Sequence, residues 1–170
     1  GRVRVHDCGP LADAALLSPT QRRRLSRLVP MALLAARRCH ASGPLERMAV
    51  AIGTGMGCLE DAAAFLENLI SNNERVPMPA RFPGSVHNAA AAQVAIDRGA
   101  HGLNSAPTMG EISFECALCQ GMRQLTTGEA DGARAGAVEG LNKCVLAMGP
   151  RRGSWTETRA PREGRRATPR

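Results

Sequence analysis

Apolar residues recur along this chain with two different periods, and the switching between them is the first structural signal. Leu25, Leu28, Val29, Ala32, Leu33 and Ala36 fall at helical spacing, while Arg22, Arg23, Arg24, Arg27, Arg37 and Arg38 take the positions between. Ser18-Pro19-Thr20-Gln21 supplies a start for that helix at about residue 19, with Ser18 as cap and Gln21 reaching back, and Pro30 predicts a kink or a split. The run Arg47 to Ile52 has strand length and is apolar after its first residue. It ends in Gly53-Thr54-Gly55-Met56-Gly57, after which Leu59, Ala62, Ala63, Leu66 and Ile70 return to helical spacing. A strand, a glycine turn and a helix follow one another there.

Residues 71–84 hold Asn72, Asn73, Pro77, Pro79, Pro83 and Gly84, whose prolines predict an irregular loop. Helix returns from Ser85 to about Arg98 and is closed by Gly99. Its run Ala89 to Ala92 offers no bulk and permits close approach of a neighbour. His101 to Ala106 predicts a short strand, and after Pro107 and Gly110 a further helix carries Ile112, Cys116, Cys119 and Arg123 on one side. A last strand spans Gly132 to Val138, with Arg134 an awkward member if that strand is central. Helices alternating with short apolar strands predict an α/β layered domain with helices covering the sheet. From Gly149 the composition turns to Arg, Gly, Pro and Thr with no apolar period. The chain therefore reads as one domain over 1–148 and a disordered Arg-rich tail over 149–170.

Composition narrows the function classes. At 170 residues there is room for one ordinary core, and no stretch approaches the roughly 20 apolar residues of a membrane span. The start GRVRVHDCGP has no apolar signal-peptide core, so a cytosolic protein with no membrane contact is expected. Aromatic residues are 2%, with no Tyr, which removes the stacking platforms that bind single-stranded nucleic acid. The net charge of +7 points the same way, because seven Arg against Glu157 and Glu163 put +5 of it in residues 149–170 and leave the body near +2. An expectation of no nucleic-acid partner follows, with salt-dependent binding through the tail as the rival. Six Cys at 8, 39, 58, 116, 119 and 144 have no framework spacing and are expected as reduced thiols.

The candidate chemical motifs each have a plainer reading. G-x-G-x-G at 53–57 is neither the dinucleotide fingerprint nor a P-loop, and it is expected to be a tightly packed turn. Cys116-Ala117-Leu118-Cys119 lies inside a predicted helix, away from the N-terminus that would stabilise a thiolate, so two structural thiols are expected rather than a redox pair. Zinc would need a second paired spacing, which the remaining Cys and His lack, so no metal and no cofactor are expected. His87 beside Asn88 has no nucleophile or carboxylate near it in sequence and reads as a structural residue.

Several segments, taken in order, resemble one family. GTGMG at 53–57 with the helix after it, PARFPGSVHNAAAAQVAI at 79–96, GAHGLN at 99–104 and GEADGARAGAVE at 128–139 are similar to the N-terminal half of a beta-ketoacyl synthase, in the shorter ketosynthase-like branch. With the weaker Arg-rich helix at 21–38, the resemblance covers about residues 20–140. It implies the N-terminal half of a thiolase-like fold, a mixed sheet covered by helices.

The resemblance also frames function. Condensing enzymes of this family attack an acyl thioester with a Cys at the head of a buried helix, seven residues after the Asn of the Gly-x-Asn strand. Here that count from Asn104 lands on Glu111, which has no polarisable thiolate and would give only a labile anhydride. The family's activating His segments, His-Gly-Thr-Gly-Thr and a later His-Asn, do not occur in the sequence. No catalytic residue is therefore assigned. A relative without its Cys resembles the chain-length-factor subunits of aromatic polyketide and aryl-polyene systems, which implies a ketosynthase subunit and an acyl carrier protein as partners. Leu103, Asn104, Ser105 and Glu111 are the implied interface and tunnel residues, with Glu111 in decarboxylation, at the interface, or simply as an N-terminal cap. Two rivals stay open: an acyltransferase, a 3-oxoacyl-[acyl-carrier-protein] synthase, with a displaced nucleophile at Cys116 or Cys119, and a truncated, non-functional relic.

Overall fold

Every residue of the strand Met48–Gly53 is buried, and the molecule is arranged around it. The structure, a computed structural model, describes residues 11, 27–39, 46–75, 79–141, 143 and 145–146. In chain order the elements are α1 (Leu28–Arg38), β1 (Met48–Gly53), α2 (Leu59–Ser71), a 3-10 turn at Pro79–Arg81, α3 (Phe82–Ser85), α4 (Ala89–Arg98), β2 (Asn104–Ser105), a 3-10 turn at Gly110–Ile112, α5 (Ser113–Thr126) and β3 (Gly132–Ala137). The sheet runs β2-β1-β3 and is parallel throughout. Val50 pairs with Asn104, and the β3 register runs from Met48 opposite Gly132 to Gly53 opposite Ala137. A strand paired on both sides and covered on both faces has no place for a polar side chain, so its sequence is a continuous apolar run.

Alternate residues of β1 serve opposite faces. Val50 and Ile52 join Leu28, Val29 and Leu33 of α1 and Ala90, Ala91 and Val94 of α4 in one buried cluster. Arg37 of α1 clamps Asp97 of α4 across that layer, with Nε donating to Oδ2 at 3.0 Å and Nη2 to Oδ1 at 2.5 Å. The other face is built from small residues and receives α5. A β-carbon placed on Gly53 would stand 2.2 Å from Ser113 O, and one on Gly121 would stand 3.3 Å from the Cβ of Ala133. Main chain meets main chain there with almost nothing between.

Several boundaries differ from the sequence expectations, each for a physical reason. Pro30 falls in the first turn of α1, where its missing N–H costs nothing, so it neither kinks nor splits the described helix. The helix expected from Ser85 is two pieces, because Val86 is extended and α4 begins only at Ala89; Gly99, at φ 62°, closes it as expected. The strand at 101–106 is reduced to Asn104–Ser105. On α5 the buried residues are Ser113, Ala117 and Gly121, not the side marked by Ile112, Cys116, Cys119 and Arg123. A helix that must lie close on a sheet of Ala and Gly turns its smallest residues inward and its bulky ones out. None of α2 is buried, and Leu66 and Ile70 on its apolar side are exposed.

Arg134 is buried within β3, yet it is not a charge without partners. Its Nη1 donates to Ala36 O at 3.0 Å and Cys39 O at 2.8 Å, so the cation caps the negative end of α1. The helix start at 18–26 and the tail at 149–170 lie outside the described residues.

Candidate functional site

The end of β1, the glycine turn after it and the head of α5 converge on one small region, held by hydrogen bonds that few sequence signals announce. Thr54 is buried at the centre. Its N–H donates to Pro107 O at 3.0 Å, and its hydroxyl oxygen accepts from Gly57 N–H at 3.1 Å. Gly55 N–H donates to Glu139 Oε2 at 2.5 Å, joining the turn to the segment after β3. Ser113 Oγ, buried in the first turn of α5, accepts from Met109 N–H at 2.9 Å and lies within hydrogen-bond distance of Gly110 O, 2.7 Å, and Thr54 O, 3.1 Å. The Gly55 and Gly57 donors a phosphate would need are thus taken up inside the protein, consistent with a packed turn rather than a nucleotide cradle. Gly57 has φ +66°, and a β-carbon there would stand 1.9 Å from His87 Nδ1, so the glycine leaves room for that ring.

Glu111 occupies the 3-10 turn that feeds directly into α5 and is exposed. It stands beside the positive end of that helix, where negative charge is favoured. The residues of the strand segment are held elsewhere. Leu103 O accepts from Val50 N–H at 2.7 Å, Asn104 Nδ2 donates to Ala91 O of α4 at 2.9 Å, and Ser105 Oγ donates to Gln120 Oε1 of α5. Leu103, Asn104 and Ser105 therefore form one unit on the outer strand of the described sheet. Gln120 lies nine residues along the chain from Glu111, about 13 Å of helix, so the four residues are not one cluster.

The thiols are dispersed. Cys58, at the mouth of the glycine turn, is 2% exposed, and burial, followed by Asp61 and Glu139, pushes its thiol up to about 11. It is an un-ionised thiol at neutral pH and a poor nucleophile. Cys116 is half-buried and Cys119 exposed, both inside α5 rather than at its head, and Cys39 is exposed at the end of α1. An open apolar hollow of about 380 Å³ lies between α2 and α3, lined by Ala62, Phe65, Leu66, Phe82, Val86 and His87 among others. Among the described residues no three His, Cys, Asp or Glu are grouped to hold a metal ion, and no helix is long and apolar enough to cross a membrane. Reasoning from the sequence missed Ser113, Thr54 and Glu139 as the joints of this region. The Ser113, Ala117, Gly121 spacing of small residues is a signal for Ser113 alone.

A parallel sheet whose central strand ends in a glycine turn packed on the head of α5 defines a layered α/β protein with a helix seated directly on its sheet. By sequence, residues 5–132 match the model of the beta-ketoacyl synthase N-terminal domain, and the chain belongs to that family. It is 29% identical over 128 residues to 3-oxoacyl-[acyl-carrier-protein] synthase 2 of Mycobacterium tuberculosis, covering 72% of this chain and 31% of that protein. It thus spans about a third of the length of the curated relatives it matches. Among solved structures, the ishigamide ketosynthase/chain length factor superposes with a TM-score of 0.72 at 24% identity, over 87% of this chain and 43% of that one. The complex of a ketosynthase (ApeO) with its chain length factor (ApeC) from Xenorhabdus doucetiae gives 0.57 at 25% identity, over 74% of this chain and 51% of the other. The fold is thiolase-like, and the chain is a beta-ketoacyl synthase-like protein.

Proposed function

We propose that this chain is a non-catalytic, chain-length-factor-like partner of an active ketosynthase in fatty acid or polyketide biosynthesis, and that it helps to shape the tunnel for a growing chain presented on an acyl carrier protein. The observation that carries the reading is Glu111 at the head of α5, the position where the resemblance calls for a nucleophilic Cys. A carboxylate there cannot form the thioester on which condensation depends. Cys58 offers no substitute, being buried as a thiol, and Cys116 and Cys119 sit one to two turns into the helix.

The outer edge of β2 supports the choice of partner. Within the described sheet it is an unpaired strand edge, a template for a strand of another chain, and Asn104 and Ser105 anchor it firmly to α4 and α5. Purified chain should show no condensation of malonyl and acyl thioesters on carrier protein, and co-expression with a ketosynthase should yield a stable complex. Asn104→Arg, which breaks the bond to Ala91 O, should separate the complex, whereas Glu74→Arg in the exposed turn after α2 should leave it intact. Turnover by the chain alone that is abolished by Cys116→Ala would replace this reading with a displaced-nucleophile acyltransferase.

A further inference from the structure

We draw no further inference here: the strongest candidate, the buried guanidinium of Arg134 on β3 at the C-terminal end of α1, keeps Nε and Nη2 without a hydrogen-bond partner among the described residues, and nothing in the structure shows what acceptor meets them.

Discussion

Gly53→Ala tests the closest approach of main chain to main chain at any of the described glycines, the one that seats the head of α5 and with it Glu111. A β-carbon at position 53 would lie 2.2 Å from Ser113 O and 2.5 Å from Ser113 C, where ordinary contact begins at 3.4 Å. The head of α5 would have to withdraw by about 1.2 Å, and no rotamer change relieves a clash with main chain. Withdrawal would stretch the Ser113 hydroxyl contact with Thr54 O, now 3.1 Å. Overpacking ordinarily costs about 1–3 kcal/mol, so this substitution belongs at about 3 kcal/mol or above, offset by less than about 1 kcal/mol from the stiffer unfolded chain. At a urea m-value of about 2 kcal/mol/M, the unfolding midpoint should fall by about 1.5 M. Two further glycines calibrate the argument. Gly121→Ala meets Ala133 Cβ at 3.3 Å and should cost about 1 kcal/mol, whereas Gly84→Ala meets nothing nearer than 3.9 Å and should be neutral within about 0.5 kcal/mol. Urea unfolding followed by far-ultraviolet circular dichroism measures all three. A Gly53→Ala protein within about 1 kcal/mol of the parent, or as mild as Gly121→Ala, would show that α5 does not rest on β1 as described.

Two more consequences concern charge. The Arg37 hydrogen bonds hold the Asp97 carboxyl below its ordinary value of 3.8, so the pair contributes stability that is present above that value and lost as pH falls through the lower, folded one; Asp97→Asn should cost about 1–3 kcal/mol at neutral pH and nothing measurable in strong acid, by urea unfolding across pH. Cys58 has the opposite sign: its thiol is raised from 9.0 to about 11, so the folded state holds the proton more tightly and stability should decline as pH climbs from 9.0 to about 11. Alkylation at neutral pH should accordingly modify Cys39 and Cys119 well before Cys58, with peptide mass spectrometry as readout, and rapid modification of Cys58 in the folded protein would contradict its burial.

Legibility in the sequence followed the range of the interactions. β1 and α2 were readable within a residue or so, because strand length, a glycine turn and helical spacing are local patterns. Gly99 closing α4 was equally local. The orientation of α5 was not readable. Periodicity marked a side made of Ile112, Cys116, Cys119 and Arg123, and only the presence of a flat Ala and Gly sheet surface turns Ser113, Ala117 and Gly121 inward instead. The break at Val86 was hidden for a related reason, since the His87 ring lies against Gly57, thirty residues away in the chain.

The candidate site divides along the same line. By itself the sequence determined that position 111 holds a carboxylate and not a thiol, and, through the order of its segments, that the chain belongs with the beta-ketoacyl synthases. Residue identity and local spacing are properties of the one-dimensional chain. Only the tertiary structure decided that Glu139 reaches the Gly55 N–H, that Arg134 serves as the cap of α1, and that Asn104 and Ser105 are fastened to two different helices on a strand remote from Glu111. Each is a hydrogen bond between groups between 13 and 98 residues apart. Such a bond forms only after the parallel sheet has brought distant segments level, and no local pattern encodes which donor will meet which acceptor.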